Sequence, residues 1–500
     1  MRGTRVIVIA VAVASAAACA NRSPYQCTAT DQCVLGGQQG FCEAEGFCSF
    51  SDPGCDSGRR FEPNAGGGLG GSCTSGGPRD DAPPNACGAV GQACCSGEPA
   101  CGDGTFCMAG TCQQCVTDVT IGHRYICQTR YDGSIWCAGE NDNGELGNGS
   151  AGIDQLTPTQ VTDAMGPLTD VTKLGVAYDA SCAIRAGGSV WCWGIGGDGQ
   201  LGNGGTAMGQ SPLPVRVVMQ NGMPLTGIVE LDGGYGHVCG RDEAGEVWCW
   251  GRNGNGQLGN GTTTPANQKF ATRVLNASGG TPFTGAQSLF AGGDFTCVLK
   301  ATDQLWCWGA DYDGQLGDNL TANRLVPFMA ARTTSASAGL FHLCILDADG
   351  SVSCAGANYH AQVGNGEGGA FNGADQRTFE KVLAEPGGAP MTGAKAVVAG
   401  GPMSCAVMQD DTVRCWGDSF FGQTGTGTGS QVPFEVLVRT PAGAKKLEKV
   451  DRLVARYPRA CAHTEAGAWV CWGRGRSGEF GNGKTIDRGL AEPLTGVTCP

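Results

Sequence analysis

Short apolar segments separated by glycine-rich turns recur along the last three quarters of the chain. In each copy an apolar residue stands eight positions before a cysteine, and a second cysteine follows ten positions after the first. The copies recur every 47 to 61 residues. Seven such cysteine pairs are present: Cys127/Cys137, Cys182/Cys192, Cys239/Cys249, Cys297/Cys307, Cys344/Cys354, Cys405/Cys415 and Cys461/Cys471. A period of this size predicts a repeat architecture in which each copy is one supersecondary unit.

Each ten-residue cysteine step predicts a β-hairpin. Pairing the step about its midpoint leaves three loop residues and sets the two cysteines opposite each other, at a non-hydrogen-bonded site where side chains approach most closely. The third loop position must then be left-handed, and the residues there tolerate this conformation: Gly133, Gly188, Gly245, Asp303, Gly350, Asp411 and Gly467. We therefore predict seven disulfides within the repeats, each contributing about 2 to 3 kcal/mol.

Tryptophans flank several of the second cysteines. Trp191 and Trp193, on either side of Cys192, must point to the sheet face opposite the sulfur. We expect each disulfide to pack against the indoles of the next repeat, and a sugar-binding aromatic platform is the alternative interpretation. A glycine also recurs ten positions after every second cysteine, as at Gly202 and Gly259.

Repeats of short strands can form either an open solenoid or a closed ring of four-stranded blades. The C-terminal segment Leu494–Cys499 looks like the segment Leu168–Thr172 between the first two repeats. It is therefore expected to supply a strand that the first repeat lacks. This favours a closed ring, with Cys499 bonded to Cys115 or Cys112 where the chain enters and leaves it.

The repeats resemble a known family. The runs Gly233–Cys239, Val247–Gly251 and Gly256–Gly261 are similar to the regulator of chromosome condensation repeat, and the resemblance covers Val116 to Pro500. It implies an all-β, seven-bladed β-propeller of four-stranded blades. The histidine typical of the family recurs only twice, and the repeats hold at this position Tyr125, Ala180, His237, Phe295, His342, Met403 and Arg459.

The first 115 residues are organised differently. Residues 1–18 read as an export signal, and the run Ala16–Cys19 resembles a bacterial lipobox, which predicts lipidation at Cys19 or ordinary cleavage with secretion. Thirteen cysteines between Cys27 and Cys115 predict two small disulfide-rich modules, 19–64 and 87–115, on either side of a glycine- and proline-rich linker, 65–86. A zinc site is the alternative for Cys112 and Cys115.

Composition narrows the range of partners. The chain carries 46 acidic and 33 basic residues, a net charge of −13, and it has no basic cluster. Nucleic acid is therefore excluded as a partner, because phosphate binding depends on Lys and Arg. The 29 cysteines place the protein in an oxidising compartment, the cell envelope or the exterior. Removing a lipidated Cys19 leaves an even number that can all be paired.

Three sequence motifs suggest chemistry that we do not expect. Gly478–Thr485 matches the phosphate-loop pattern, and Gly194–Gly199 resembles a dinucleotide-binding turn, but both fall on the glycine-rich turns of the repeat. Asn141–Glu145 and Asp311–Gly314 contain only fragments of a calcium loop. The five histidines, His123, His237, His342, His360 and His463, are dispersed in sequence. We predict no catalytic residue, no metal and no cofactor.

The sequence thus predicts a monomeric binding or scaffold protein that recognises a protein or glycan through its loops. Met208–Leu225, Gly261–Thr284 and Gly366–Ala394 are the longest and least regular segments and the expected recognition surface. Inhibition of an extracellular enzyme is the second hypothesis, because the resemblance includes a secreted propeller that blocks β-lactamases. A polysaccharide-acting enzyme and guanine-nucleotide exchange, the founding activity of the family, are less favoured, and export argues against exchange.

Overall fold

The structure, a computed structural model, describes residues 115–494 apart from 206–208, 277–279, 369–373 and 442–444, and the backbone of seven short strands before residue 115. The chain divides into two compact units, Met1–Cys115 with Thr498–Pro500, and Val116–Val497. The strands of the first unit are β1 (Val34–Leu35), β2 (Gln38–Gln39), β3 (Phe41–Cys42), β4 (Cys48–Ser51), β5 (Arg59–Phe61), β6 (Thr105–Met108) and β7 (Thr111–Gln114). Cys19, the linker, Cys112 and Cys499 lie outside the residues whose side chains are described. Cys115 is buried and disulfide-bonded, which disagrees with the zinc alternative at that residue.

The second unit contains seven antiparallel sheets of four consecutive strands, which we number blades 1 to 7. Blade 1 has β8 (Val116–Ile121), β9 (Tyr125–Arg130), β10 (Ile135–Gly139) and β11 (Gln155–Gln160), and a small hairpin of β12 (Thr162–Asp163) and β13 (Gly166–Pro167) follows it. Blade 2 has β14 (Val171–Val176), β15 (Ala180–Arg185), β16 (Ser189–Ile195) and β17 (Gln210–Arg216). Blade 3 has β18 (Ile228–Gly233), β19 (His237–Asp242), β20 (Val247–Arg252) and β21 (Asn267–Arg273).

The remaining blades have the same order. Blade 4 has β22 (Ala286–Ala291), β23 (Phe295–Lys300), β24 (Gln304–Gly309) and β25 (Arg324–Arg332). Blade 5 has β26 (Ser335–Ala338), β27 (His342–Leu346), β28 (Val352–Gly356) and β29 (Gln376–Lys381). Blade 6 has β30 (Ala394–Ala399), β31 (Met403–Met408), β32 (Val413–Gly417) and β33 (Val432–Leu437). Blade 7 has β34 (Val450–Arg456), β35 (Arg459–Thr464), β36 (Trp469–Gly473) and β37 (Arg488–Pro493).

The blades form a closed ring. The first strand of each blade contacts the first strand of the next, and β34 of blade 7 contacts β8 of blade 1. The two middle strands of each blade are almost fully buried, whereas the fourth strand is partly exposed, as expected for sheets that pack face to face around an axis. The all-β, seven-bladed propeller predicted from the sequence is therefore confirmed.

The expected contribution of the C-terminal tail to blade 1 is wrong. Blade 1 obtains all four strands from the consecutive segment between Val116 and Gln160, so no strand is missing. Side-chain packing closes the ring instead: Val116 and Ile126 of blade 1 lie in one cluster with Cys461, Cys471 and Phe480. A main-chain hydrogen bond also joins blades 7 and 1, because the Gly483 amide donates to the Leu156 carbonyl.

The cysteine hairpins have the predicted register. Cys239 pairs with Cys249 across β19 and β20, with Cα atoms 4.1 Å apart and the sulfurs bonded. The other six bonded pairs have the same arrangement: Cys127–Cys137, Cys182–Cys192, Cys297–Cys307, Cys344–Cys354, Cys405–Cys415 and Cys461–Cys471. The short separation is that of a non-hydrogen-bonded pair, which allows a disulfide to cross the hairpin.

The surroundings of these pairs agree with a structural role. The second cysteines, Cys137, Cys192, Cys249, Cys307, Cys354, Cys415 and Cys471, lie on the third strand of their blades, and each is fully buried together with its partner. All seven third loop positions are left-handed, including Asp303 and Asp411 with φ near 60°. The disulfides therefore brace the interior of each blade and do not reach the surface of the ring.

Indoles join neighbouring blades. Trp250 of blade 3 is fully buried against Cys182 and Cys192 of blade 2, and its Nε1 donates to the Gln200 carbonyl at 2.9 Å. The same packing and hydrogen bond recur with Trp193, Trp308, Trp416 and Trp472. Where blades 1 and 5 carry alanine instead, at Ala138 and Ala355, other apolar side chains cover the disulfide of the preceding blade.

In the blades that are followed by such an indole, the contact explains the glycine ten positions after the second cysteine. Gly202 has φ +62°, and a Cβ atom there would lie 2.8 Å from Trp250 Cδ1. Gly147, Gly259 and Gly364 stand against the next indole in the same way. Only glycine satisfies both the left-handed backbone and the close approach of the neighbouring blade.

We expect Gly202→Ala to lower the free energy of unfolding by about 3 kcal/mol, because it combines left-handed strain with a clash against Trp250. Gly152→Ala is the matched control, since Gly152 has φ +84° and open space around its Cβ position. That control should cost only about 1 kcal/mol. Denaturant unfolding measures both, and equal losses for the two variants would contradict the proposed role of the indole contact.

Candidate functional site

Two kinds of loop meet on one face of the ring. In an antiparallel four-stranded blade, the turn between the first and second strands and the loop between the third and fourth strands lie at the same end. We call this the upper face. The lower face carries the cysteine hairpin turns and the connections between blades, where the Ile228 amide, for example, donates to the Gly188 carbonyl of the preceding blade.

Seven turns converge on the axis at the upper face. They contain the residue four positions before each first cysteine: His123, Tyr178, Tyr235, Gly293, Leu340, Gly401 and Tyr457. Main-chain hydrogen bonds link most neighbouring turns: His123 to Tyr178, Tyr235 to Gly293, Gly293 to Leu340, Leu340 to Gly400 and Gly401 to Tyr457. The turns are therefore held as one circular layer.

Four aromatic side chains of this layer form an axial cluster, which we define as His123, Tyr178, Tyr235 and Tyr457. The rings of His123 and Tyr178 are stacked with centroids 3.6 Å apart, and Tyr235 lies 4.2 Å from Tyr178. Tyr457 packs edge-on against both His123 and Tyr178 at 5.2 Å. Tyr457 is buried, whereas Tyr235 is 40% exposed, so the cluster presents its outer part to solvent.

Arg456 crosses the ring beneath this cluster. Its guanidinium lies 2.8 Å from Asp232 of blade 3 and donates to the Ala291 carbonyl of blade 4 at 3.2 Å, although Arg456 itself belongs to blade 7. Asp232 also accepts a hydrogen bond from the Ala291 amide. A charged, hydrogen-bonded bridge thus connects opposite sides of the ring.

Blade 7 also holds a buried ion pair. Arg459 and Glu479 are both fully buried with N and O atoms 2.7 Å apart, and Arg459 donates to the carbonyls of Gly122 and His123 in blade 1. Burial lowers the pKa of Arg459. The charge of Glu479 opposes that shift. Arg459 takes the place of the family's histidine and ties the last blade to the first.

The axial cluster has the chemistry of a binding surface. Burial lowers the pKa of His123 below its ordinary value, although Asp179, 3.3 Å from Nδ1, opposes the shift. Burial raises the pKa of Tyr178, so its hydroxyl keeps its proton. A neutral imidazole and a protonated phenol can stack and hydrogen-bond, and neither is an activated nucleophile. This cluster was not predicted from the sequence, although its residues share one repeat position.

Two other histidines belong to the framework. His237 and His342 are fully buried, and their Nε2 atoms lie 2.9 Å from Thr296 Oγ1 and 2.7 Å from Ser404 Oγ in the following blade. Burial lowers the pKa of each to about 3. The interpretation of these two residues as core hydrogen-bonding groups agrees with this geometry.

The two buried histidines make stability dependent on pH. The unfolded chain binds protons below about pH 6.5 while folded His342 stays neutral, so the free energy of unfolding should fall by about 1.4 kcal/mol per pH unit and per histidine between pH 6 and 4. His342→Phe should reduce that slope, because Phe295 occupies the equivalent site in blade 4. Met403→Phe, which removes no titrating group, should keep the wild-type slope. Denaturant titrations across pH test this, and identical slopes for all three proteins would contradict it.

In the motifs that resemble phosphate and calcium loops, the polar groups form hydrogen bonds within the turns of the repeat. In Gly478–Thr485 the amides of Gly478, Gly481 and Gly483 donate to main-chain carbonyls, so they are occupied and cannot cradle a phosphate. In the calcium-like loops, the Oδ1 atoms of Asn141 and Asp311 accept hydrogen bonds from the main-chain amides of Leu146 and Leu316, respectively. Within residues 115–494 as described, no group of three or more potential metal ligands occurs.

Asp311 occupies a site that other blades fill with asparagine. Asn253 and Asn358 donate from Nδ2 to Asn260 and Asn365, whereas the corresponding residues in blade 4 are Asp311 and Asp318. Burial raises the pKa of Asp311 to about 7, the Leu316 amide opposes the shift, and Asp318 adds to it. Below about pH 7 the raised pKa favours the protonated carboxyl at Asp311.

We expect Asp311→Asn to stabilise the protein increasingly as pH rises from about 4 to about 7. The folded carboxyl keeps its proton in this range while the unfolded one ionises, so the wild type loses stability with rising pH and the asparagine variant does not. Asn253→Asp is the reciprocal control and should lose stability over the same range. Thermal or denaturant unfolding measures both, and a pH-independent difference would contradict the assignment.

The segments expected to form the recognition surface are more regular than predicted. Met208–Leu225, Gly261–Thr284 and Gly366–Ala394 contain the fourth strands β17, β21 and β29, respectively. Much of their length is thus the outer edge of a blade. The expectation that they are irregular loops is wrong, because their low apolar content reflects exposure of an edge strand and not the absence of a strand.

Exposed apolar side chains gather on the upper face instead. Tyr235, Tyr312, Leu320, Phe420 and Ile486 stand there, each at least 40% exposed. Among the described residues, the exposed apolar side chains of the lower face include Met165 and Met223. Clustered exposure of this kind marks interaction surfaces. Within the described residues, no helix has the length and apolar character needed to cross a membrane.

Blade number, strand order and the disulfide-braced hairpins define this protein as a seven-bladed β-propeller. The regulator of chromosome condensation (RCC1) repeat matches residues 132–184, 228–257, 244–299, 287–315, 334–362 and 394–423. The propeller of this chain therefore contains regulator of chromosome condensation repeats over these residues.

Relatives support the same fold over most of the ring. The ultraviolet-B receptor UVR8 of Arabidopsis thaliana is 27% identical over 73% of this chain and 79% of its own length. The E3 ubiquitin-protein ligase HERC2 of Mus musculus is 25% identical over 70% of this chain. The matched region is only 6% of the length of that ligase. The structure of Prp20p from Saccharomyces cerevisiae has a TM-score of 0.60 at 19% identity, covering 75% of this chain and 88% of Prp20p.

Proposed function

We propose that this protein is a binding protein that works outside the cytoplasm, secreted or anchored through Cys19, and holds a protein partner on its upper face. The exposed apolar side chains of that face are the observation that carries the proposal, because several large apolar side chains exposed on one face are typical of a surface that a partner covers. The axial cluster lies at its centre and is braced by Arg456, so the face is rigid before binding.

The relatives are consistent with a protein ligand. The solved structures include yeast RCC1 (Prp20) bound to Kap60, and Prp20p was described together with its binding to Gsp1p and histones. We transfer to this chain only the use of a propeller face for protein binding. Partner identity must differ, since the seven disulfides favour an oxidising compartment.

Photo-crosslinking amino acids placed on each face test the proposal. Positions 420 and 486 on the upper face replace residues that are 67% and 55% exposed, and positions 165 and 223 on the lower face replace residues that are 94% and 59% exposed. With intact cells that export the chain, both upper positions should crosslink to the same protein, because they share one buried interface.

The lower-face positions are the matched controls and should crosslink to it weakly or not at all. Crosslinking that is equal from both faces, or stronger from the lower face, would contradict the proposed binding face. Absence of the chain from the cell exterior, measured by protease accessibility, would contradict its proposed location.

A further inference from the structure

One sector of the upper face combines tyrosines with two carboxylates that form no ion pair within the described residues, although the charge of Arg377 opposes the rise that burial causes in the pKa of one of them, Asp375. Tyr312 and Asp313 lie on the loop between β24 and β25, and Tyr359 and Asp375 lie on the loop between β28 and β29 of the next blade. We call these four residues the tyrosine–aspartate patch. The first loop contacts the start of β29, because the Asn319 amide donates to the carbonyl of Arg377, two residues after Asp375. Asp313 and Asp375 are also close enough to act on each other and on Tyr359 electrostatically. The four side chains therefore share one surface.

The patch is accessible and negatively charged. Tyr312 is 46% exposed, Asp375 is exposed, and Tyr359 and Asp313 are half-buried. Within the described residues, neither carboxylate takes part in an ion pair, whereas ion pairs occupy many other carboxylates of the ring. Burial, together with the charge of Asp375, raises the pKa of Asp313 to about 6, so the two acids oppose each other's ionisation. A cation placed between them would relieve that repulsion.

The aromatic rings of the patch also lack a cation. Elsewhere in this protein several partly exposed rings are covered by basic side chains, as with Arg476 over Phe421 at 4.8 Å and Arg273 over Trp248 at 4.6 Å. In the described part of the chain, no Lys or Arg lies over Tyr312 or Tyr359. His360 lies tilted against Tyr359 with ring centroids 4.9 Å apart, and the remaining ring surface of the two tyrosines can receive a cationic group supplied from outside.

A buried amide beneath the patch has no acceptor. Gln315 is fully buried, its Oε1 accepts the Asp313 amide, and its Nε2 finds no partner. The equivalent glutamines of blades 3 and 6 donate from Nε2 to Asp294 and Asp418. In blade 5, Phe341 stands where blade 4 has Asp294, so this donor is left unmet. An acceptor such as a peptide carbonyl, brought in at the upper face, would satisfy it.

From these observations we infer that the tyrosine–aspartate patch docks a basic segment of the protein partner, with Lys or Arg side chains against the tyrosine rings and between the two aspartates. The inference rests on the proposed function and specifies the chemistry of the partner. The net charge of −13 favours encounter with such a segment, and the patch gives it a defined place to bind.

Binding of synthetic peptides to the full chain, followed by fluorescence anisotropy, tests this inference. Three labelled probes are used: a Lys/Gly peptide, a Glu/Gly peptide of the same length and a Ser/Gly peptide. The Lys/Gly peptide should bind and should weaken with added salt, whereas the other two should not bind. Asp313→Asn with Asp375→Asn should weaken binding at least about tenfold, and Tyr312→Ala about threefold.

Glu243→Gln with Glu465→Gln is the matched control, because it removes the same charge from exposed positions on the lower face. It should change the affinity less than about twofold. Equal weakening by both double variants would show attraction to net charge alone and overturn the inference. Failure of the wild type to bind the Lys/Gly peptide, or equal binding of the Ser/Gly peptide, would also overturn it.

The crosslinking experiment separates this inference from the proposed function. If positions 420 and 486 still crosslink to the partner after Asp313 and Asp375 are both changed to Asn, with the same yield as before, the upper face binds the partner without the patch. The proposed function would then stand and the present inference would fall.

Discussion

The structure depends on the contact between the disulfide of one blade and the indole of the next. The disulfide fixes the two middle strands of a blade, and the following Trp covers it while donating Nε1 to a main-chain carbonyl of the same neighbour. Five of the seven junctions between blades carry this contact, and other apolar side chains cover the disulfide at the junctions that lead into blades 1 and 5, which closes the ring. The recurring glycine beside each indole and the left-handed turns are requirements of this one arrangement.

Where the repeat departs from its consensus, it acquires specific chemistry. The position four residues before each first cysteine holds Gly or Leu in three blades but His123, Tyr178, Tyr235 and Tyr457 in the others, and these four side chains meet at the axis. Identical hairpins thus provide a rigid support on which a few variable positions form a surface. Such a division between framework and site is common in propellers, because the loops of several blades converge on one face.

Charge is distributed according to the same division. Buried charges are paired within the framework, as Arg459 with Glu479, or bridge the ring, as Arg456 with Asp232. Within the described residues, Asp313 and Asp375 form no ion pair at the upper face, and no Lys or Arg lies over the tyrosine rings beside them. Charges are thus paired in the interior, whereas negative charge remains in excess at the upper face. A partner that binds there can supply the positive charge.

The sequence by itself determined the blade count, the hairpin register, the seven disulfides and the left-handed turn residues, because each follows from spacing within one repeat. Only the tertiary structure decided which residues of different repeats meet: Tyr178 and Tyr457 are far apart in sequence but share the axis. It also showed that blade 1 supplies all four of its strands, and that β17, β21 and β29 lie within segments that read as loops. Exposed edge strands lose the apolar alternation that marks a strand, and contacts between blades have no fixed sequence separation, so neither could be read from the chain alone.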